Sequence, residues 1–396
     1  MPRYPQPSPH AAAVPISTFS AFAARLSEAQ RDPEFVPLHL GDTYPLPPLA
    51  ARRVDLDDPA LHRYGPVAGQ AELREAGAAD LAGLGLAWAS PERTFVTPGA
   101  TGGLDVALDA TLAPGDRVLI LTPTWPLIFG LVARRGADPV QVPISESGTL
   151  PTPEELRERL SAELCERTVG IAFVNPNNPG GFAYSPAHLE VIADLACANE
   201  LWVYCDAVYA DMVYAPERRV LAELPERLAE RTFVVSSYSK SFGLAGQRVA
   251  LLHAPEACEG LPARLLTHTC YHTSNLSQAM ALASLSDDPG GAREERVNLA
   301  RAGAALALEA IGERVPVDAP AGGAFLLLDL RGRCADGAAV TRLLEQSLER
   351  GFSLAPGAPF GSHFQRFVRL CFTAVRPERL AVGLERFVSL LDEKQT

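Results

Sequence analysis

Lysine is almost absent from this sequence, although positive charge is not. Only Lys240 and Lys394 are lysines among the 35 basic residues, and the remainder are arginines. An arginine stays protonated at physiological pH, whereas a lysine amine can lose its proton and attack a carbonyl carbon. Survival of one interior lysine by chance in an arginine-rich chain explains the count equally well. Lys240 is therefore a candidate for covalent chemistry, and its sequence neighbours must decide between the two explanations.

Closely spaced cysteines are also lacking. The seven cysteines are scattered along the chain, and no two of them lie within three residues of each other. This spacing argues against a disulfide framework and against a zinc site. It is typical of core thiols in a reducing compartment. We therefore expect a cytoplasmic protein without a bound metal ion.

Long apolar runs and clusters of like charge are missing as well. The most apolar segment, 118–132, is interrupted by Pro123 and Pro126 and is too short to span a bilayer. The N-terminal residues do not have the pattern of a signal peptide. The formal net charge is −12, and no cluster of lysine and arginine offers a surface for nucleic acid. We therefore expect neither a membrane nor a nucleic acid among the partners.

The composition that remains is that of a globular protein. Hydrophobic residues make up 47% and charged residues 21% of the 396 residues, which suits two or three domains with a large core. Apolar runs alternate with helix-like segments, and strands are predicted at 94–97, 116–122, 168–174, 201–205, 232–235 and 249–253. This alternation predicts an α/β fold with a mostly parallel sheet flanked by helices. Such sheets bind ligands beyond the carboxyl ends of their strands.

The last third of the chain has a different pattern. Helices are predicted at 294–311, 336–350 and from Pro377, and strands at 324–330 and 367–372. This order indicates a smaller α+β domain. We therefore expect a large domain at residues 46–285, and a small domain formed by residues 1–45 together with 286–396.

Small and polar residues follow three of the predicted strands. The glycine-rich segment 98–103 precedes a helix, where backbone amides can bind a phosphate, although an ordinary tight turn has the same composition. The loop 175–181 offers three asparagine side chains as donors, or as solvated amides. Asp206 ends a buried strand, and Tyr209 follows it. Because a buried carboxylate is costly unless it is paired, Asp206 either faces a protonated ring nitrogen or caps the next turn.

Lys240 lies just beyond another predicted strand, in the sequence Ser-Ser-Tyr-Ser-Lys. Ser237 and Ser239 place hydroxyl groups beside it that could bind phosphate oxygens. Arg248 adds a fixed positive charge that suits a phosphate dianion, unless it pairs with a surface acid. The lysine thus stands where the sheet predicts a ligand.

Two further side chains suit an aromatic and an anionic ligand. Trp125 follows the strand 116–122 and could stack on an aromatic cofactor, although a core position is nearly as well supported. Arg369, within the predicted strand 367–372, could bind a substrate carboxylate or a structural acid.

Taken in order, these segments resemble the fold-type I pyridoxal 5′-phosphate (PLP) enzymes of the aminotransferase class I/II family. The most specific segment is Ser237-Tyr-Ser-Lys240 with the later Arg248. The other matching segments are Tyr64-Gly-Pro-Val-Ala-Gly69, Gly99-Ala-Thr-Gly-Gly-Leu104, Pro123-Thr-Trp125, Asn175-Pro-Asn-Asn-Pro-Gly180, Asp206-Ala-Val-Tyr209 and Val368-Arg-Leu370. The resemblance implies a large PLP-binding domain, a smaller α+β domain, and transfer of an amino group between an L-amino acid and a 2-oxo acid.

The resemblance also implies a role for each matching position around the cofactor ring. Lys240 would hold PLP as a Schiff base and shuttle a proton during catalysis. Asp206 would pair with the pyridine nitrogen and keep it protonated. Asn178 and Tyr209 would contact the phenolic oxygen, and Trp125 would stack on the ring.

The remaining matches would bind the phosphate and the substrate. The implied phosphate ligands are the amides of Ala100 and Thr101 and the side chains of Ser237 and Arg248. Tyr64 would reach the phosphate bound by the partner subunit, which predicts a homodimer with a shared active site. Arg369 would bind the substrate carboxylate, with Asn178 and the backbone near Gly41 contributing to the same site.

The sequence departs from the family pattern at a few positions. Ala207 replaces the usual Glu, Gly180 stands where Thr is commoner, and Trp125 replaces a frequent Tyr or Phe. The segment 40–45 differs from the common substrate motif, which leaves the amino donor open. The segment 267–275, with His268, Tyr271 and His272, either contributes to the substrate site or is structural.

Two other functions stay open. Lys240 and Asp206 would equally serve another PLP reaction, such as a β-elimination lyase, a cyclase or an amine-forming condensation. A non-enzymatic, PLP-sensing regulator domain is the third hypothesis. Such regulators have an N-terminal DNA-binding module, whereas only about 40 residues, rich in Pro and Ala, precede Gly41 here.

Overall fold

The structure is a computed structural model that describes residues 8–15, 23–144, 150–215, 217–286 and 291–393. Its strands are β1 (Val36–Pro37), β2 (Thr94–Thr97), β3 (Arg117–Thr122), β4 (Asp138–Pro143), β5 (Thr168–Val174), β6 (Trp202–Asp206), β7 (Thr232–Ser237), β8 (Ala250–His253), β9 (Phe325–Asp329), β10 (Phe352–Ser353), β11 (Ala355–Pro356) and β12 (Phe367–Cys371). Its α-helices are α1 (Pro9–Ala12), α2 (Ala23–Ala29), α3 (Ala71–Gly83), α4 (Gly99–Asp109), α5 (Leu127–Ala133), α6 (Pro153–Glu163), α7 (Pro186–Ala198), α8 (Tyr238–Ser241), α9 (Leu261–Thr269), α10 (Asn275–Ser286), α11 (Gly291–Ile311), α12 (Gly337–Glu349) and α13 (Pro377–Glu393).

A seven-stranded sheet is the frame that positions the site. Its strand order is β2-β8-β7-β6-β5-β3-β4. Neighbours from β7 to β4 pair in parallel, and β8 runs antiparallel to both β7 and β2. The predicted α/β fold with a mostly parallel sheet is therefore confirmed. The segment between β7 and β8 contains only short helical turns, whereas a parallel return requires a longer crossover, usually through an α-helix.

Helices cover both faces of this sheet because strand residues alternate in direction. In β3, Leu119 and Leu121 join a core cluster with the inner faces of α6 and α7. Val118 and Ile120 of the same strand join a second cluster with α4 and α5. The inner strands are therefore buried on both sides, as expected for parallel strands with near-continuous apolar sequences.

Local capping and turn signals set the ends of the flanking helices. The Thr152 side chain accepts from the Glu155 amide at 3.2 Å, and the Glu155 carboxylate accepts from the Thr152 amide at 2.8 Å. This reciprocal capping box fixes the start of α6. By contrast, α4 begins at Gly99, inside the glycine-rich segment 98–103 that the sequence predicts to precede a helix. The glycine-rich segment thus forms the first turn of the helix rather than a loop before it.

A second, smaller group of strands lies beside the large sheet. β9, β11 and β12 form an antiparallel sheet, and β1 pairs in parallel with β10 through Val36 and Phe352. Apolar residues of α11, α12 and α13 pack with these strands in a separate core cluster. The predicted smaller α+β part is therefore present, and division of the chain at residues 46 and 286 stays a prediction. Within the ranges described above, no helix is both long enough and apolar enough to cross a membrane.

Candidate active site

A cavity of about 390 Å³ lies at the carboxyl ends of the central strands. β6 ends at Asp206, β7 ends at Ser237, and β12 of the smaller sheet supplies Arg369. The structure brings all the predicted site residues except Tyr64 to the wall of this one cavity: Gly41, Ala100, Thr101, Trp125, Asn178, Asp206, Tyr209, Ser237, Ser239, Lys240, Arg248 and Arg369. This position agrees with the rule for parallel sheets.

Lys240 projects into the cavity from the short helix α8. Its amine donates a hydrogen bond to the carbonyl oxygen of Gly41, and its Nζ lies 3.8 Å from a carboxylate oxygen of Asp42. Burial lowers the pKa of the Lys240 amine below its ordinary value, and the Asp42 charge opposes this effect in part. A lowered pKa makes the free amine, which is the nucleophilic form, more accessible at neutral pH.

Asp206 is a buried carboxylate without a basic partner. Its Oδ1 accepts from the amide of Val208 at 3.2 Å. No Lys or Arg of the described ranges forms an ion pair with it. Burial raises the pKa of Asp206 to about 7, and the Val208 amide lowers it in part. A carboxylate in this state suits a ligand that presents a protonated ring nitrogen, because that cation would compensate the buried charge.

Arg248 and the start of α4 form a cradle for an anion. Arg248 adopts φ +53°, and its Nη1 donates to the carbonyl of Ala245 at 2.8 Å. A Cβ added to Gly99 would lie 2.3 Å from Nη2 of Arg248, so only glycine lets the guanidinium approach the helix so closely. The Ser237 hydroxyl donates to Ser239 Oγ at 2.9 Å beside the same cavity. Hydroxyl groups, a guanidinium and a helix start together fit a phosphate dianion.

Arg369 is buried beside the cavity with its guanidinium only partly satisfied. Nη1 donates to Asn178 Oδ1 at 3.0 Å and Nη2 donates to the carbonyl of His39 at 2.8 Å. Its Nε is buried and lacks a hydrogen-bond acceptor in the described structure. The guanidinium carbon lies 4.1 Å from the ring centroid of Phe325 and 5.1 Å from that of Phe360.

The sequence leaves two partners open for Arg369, a substrate carboxylate and a structural acid. Across the ranges that the structure covers, no Asp or Glu forms an ion pair with this side chain. Burial lowers the pKa of Arg369. A carboxylate ligand would therefore find a desolvated guanidinium that no acidic residue of the described part of the chain neutralises.

Tyr64 lies outside the cavity. Its side chain is 87% exposed and contacts the edge of Tyr271, with ring centroids 5.3 Å apart. His272, which the sequence marks as a candidate for the substrate site, accepts from the amide of Gly65 at 3.1 Å and does not line the cavity. His268 and Tyr271 do not line it either. Within this chain, the segment 267–275 therefore contacts Tyr64 and Gly65.

The cavity also contains residues that the sequence does not single out. They are Leu104, Pro126, Leu127, Val208, Ala245, Phe325 and Phe360. All seven are apolar, and no sequence signal distinguishes an apolar residue facing a cavity from one in the core. Asp42 was detectable from its position next to Gly41. His39 contributes through its backbone carbonyl, which no sequence pattern identifies.

The unusual glycine after Asn178 has a packing explanation. A Cβ at Gly180 would lie 2.6 Å from the ring of Phe182 and 3.0 Å from Asn177 Oδ1. Asn177 itself holds the loop, because its Nδ2 donates to the carbonyl of Pro123 at 2.9 Å. Glycine at position 180, where the family more often has threonine, therefore fits the close packing of this loop, and the Asn177 hydrogen bond holds the loop in place.

Comparison with known proteins agrees with this geometry. The family model described as aminotransferase class I and II matches residues 36–387. The aspartate/prephenate aminotransferase of Thermus thermophilus is 29% identical over 341 residues, which cover 83% of each chain. The aspartate aminotransferase of Streptomyces avermitilis is also 29% identical, over 85% of this chain and 83% of that one.

Solved structures show the same similarity in three dimensions. The aspartate aminotransferase from Thermus thermophilus with maleate superimposes with a TM-score of 0.86 at 27% identity, over 98% of this chain and 100% of that chain. The aromatic aminotransferase from Pyrococcus horikoshii gives a TM-score of 0.83 at 26% identity, over 94% and 99%. This chain therefore belongs to the aminotransferase class I and II family.

Proposed function

We propose that this aminotransferase binds PLP at Lys240 and moves an amino group between an L-amino acid and a 2-oxo acid. The observation that supports this most directly is the pairing of two features in one cavity. A buried amine with a lowered pKa, Lys240, and a buried carboxylate without a basic partner, Asp206, both line it. The relatives are named for amino-group transfer with aspartate, prephenate or aromatic substrates.

When bound, PLP supplies an aldehyde that condenses with amines and a ring that withdraws electron density from the substrate. Asp206 would hold a proton on the ring nitrogen, since its buried charge requires a cation. Ser237, Arg248 and the first turn of α4 would hold the phosphate. Tyr209 is buried beside the cavity and is the candidate donor to the ring hydroxyl oxygen, with Asn178.

The substrate would be positioned by Arg369 and deprotonated by Lys240. Each terminal nitrogen of the Arg369 guanidinium donates one hydrogen bond within the protein, and Nε donates none, so N–H groups remain for a substrate carboxylate. With the carboxylate fixed there, the Lys240 amine can accept the proton from the substrate Cα and return it later. Burial lowers the pKa of that amine, which favours its basic form.

A half-reaction tests this function and separates it from the alternatives. Purified protein loaded with PLP should develop a yellow absorbance band, and an amino acid alone should bleach it with formation of one equivalent of 2-oxo acid per chain. Release of ammonia over many turnovers without an acceptor would instead indicate a lyase. Failure of every amino donor to bleach a PLP-loaded protein would contradict amino-group transfer.

We also propose a homodimer with a shared active site and a cytoplasmic location. Support for the dimer comes from Tyr64, which is exposed and outside its own cavity. Support for the location comes from the free thiols, of which Cys165 and Cys270 are exposed. In a mixture of Lys240→Ala and Tyr64→Ala chains, exchange of subunits should restore about a quarter of the wild-type activity. No recovery after subunit exchange would contradict the shared site.

A further inference from the structure

The charges in the cavity wall are few, and each of them has a role in the proposed function. The charged residues that line the described cavity are Asp206, Lys240, Arg248 and Arg369. Arg248 belongs to the anion cradle, Lys240 is the reacting amine, and Arg369 faces the substrate carboxylate. No further Lys, Arg or His of the described ranges lines the cavity and could pair with a second substrate carboxylate.

The wall beside Arg369 is apolar instead. We define it as the apolar wall, formed by Pro126, Leu127 and Phe360. The amide of Thr124 donates to the carbonyl of Phe360 at 3.0 Å, which ties the two parts of this wall together. Phe360 is buried, whereas Leu127 is half exposed at the mouth of the cavity.

The ring of Phe360 is fixed in place by its loop. The amide of Ser362 donates to Oε1 of Gln141 at 2.8 Å, and Gln141 lies on β4, an edge strand of the large sheet. A Cβ at Gly361 would lie 2.9 Å from Thr122 Cβ, so this loop is packed closely against β3. Phe360 therefore presents an aromatic surface whose ring centroid lies 5.1 Å from Cζ of Arg369, within reach of a substrate whose carboxylate binds that arginine.

Desolvation also disfavours an acidic substrate side chain at this wall. A second carboxylate on the substrate would lose its hydration against the apolar wall without gaining a cation from the described residues that line the cavity. A large apolar side chain would instead bury its surface there.

We infer that the preferred amino donors of this enzyme have aromatic or large aliphatic side chains, which bind the apolar wall, and that aspartate and glutamate are poor donors. This inference rests on the proposed function and specifies the substrate class of the same site. It separates this chain from relatives that are named for aspartate.

The test uses the PLP-loaded protein and the half-reaction, so that no acceptor has to be chosen. The rate constant divided by the half-saturating concentration should be at least about 100-fold higher for phenylalanine and leucine than for aspartate and glutamate, because an unpaired carboxylate is strongly rejected. Equal values for aspartate and phenylalanine would overturn the inference.

A binding measurement gives a second readout that does not depend on turnover. Calorimetry with 3-phenylpropanoate and with succinate compares an apolar and an acidic analogue, neither of which has an amino group to react. We expect the aromatic monocarboxylate to bind at least about tenfold more tightly. Tighter binding of succinate would overturn the inference.

A charge introduced into the apolar wall should reverse the preference. Leu127→Arg places a cation at a half-exposed position and should shift the ratio of aspartate to phenylalanine reactivity by about tenfold or more towards aspartate. Val382→Arg, on an exposed position of α13, is the matched control and should leave the ratio unchanged. An equal shift in both variants would contradict a local effect at the wall.

Failure of the inference and failure of the proposed function give different results. If the protein binds PLP and aspartate reacts fastest, only the substrate class is wrong. If no yellow band forms, or no amino acid bleaches it, the proposed function fails and the substrate class fails with it.

Discussion

Gly99 offers a sharp test of the anion cradle. It is the first residue of α4 and adopts φ +77°, a conformation that costs an alanine about 1–2 kcal/mol. In Gly99→Ala the new Cβ would lie 2.3 Å from Nη2 and 2.8 Å from Cζ of Arg248. The guanidinium must therefore move away from the helix start. Loss of its hydrogen bonds to the phosphate should cost about 1.5–3 kcal/mol, equivalent to about a 10- to 150-fold rise in the dissociation constant for PLP.

Titration of the cofactor-free protein with PLP, followed by the yellow absorbance band, measures this change. Gly115→Ala is the matched control, because Gly115 has φ +94° and no atom of the described residues lies within 4 Å of an added Cβ. That variant should lose a similar amount of folding stability and bind PLP like the wild type. Unchanged PLP affinity in Gly99→Ala, or the same loss in both variants, would refute the assignment of Arg248 and α4 to the phosphate.

Three further predictions concern charge. Arg369→Ala should raise the half-saturating amino-acid concentration by about 100-fold in steady-state assays and leave the affinity for PLP as in the wild type. If the half-saturating concentration did not change, the assignment of Arg369 to the substrate carboxylate would be wrong. In the cofactor-free protein, burial raises the pKa of Asp206 to about 7. The free energy of unfolding in urea should therefore fall as pH rises from about 4 towards 7, because the folded chain keeps a proton that the unfolded chain has released. Asp206→Asn should lack this component, and identical pH profiles would refute it. Arg293 forms ion pairs with Asp80 at 2.9 Å and with Asp211 at 3.3 Å. Arg293→Ala removes both ion pairs and should lower the free energy of unfolding by about 3 kcal/mol. A urea titration that shows a loss of less than about 1 kcal/mol would contradict this.

The polar part of the site could be predicted because two rules coincide. The composition singles out Lys240 as the one interior lysine, and the strand pattern places it beyond the carboxyl end of a strand. The same rule selects Asp206 and Ser237, which the structure places in the same cavity. Parallel strands bring such residues together whatever their separation along the chain. The family resemblance adds Arg369, which lies on the other sheet.

The apolar part of the site could not be predicted. Leu127 and Phe360 have no neighbours in sequence that distinguish them from core residues, and their common position depends on the packing of a distant loop. The contact between Lys240 and the Gly41 carbonyl joins residues 199 positions apart. The role of Tyr64 depends on a second subunit, so neither the sequence pattern nor one chain tests it.

Covalent attachment of PLP to Lys240 is the central claim, and borohydride reduction followed by peptide mass spectrometry tests it most directly. The reduced, PLP-loaded protein should carry one phosphopyridoxyl group, on the peptide that contains Lys240, and Lys240→Ala should carry none there. A label on Lys394 or the N-terminus, or no label at all under saturating PLP, would contradict the account.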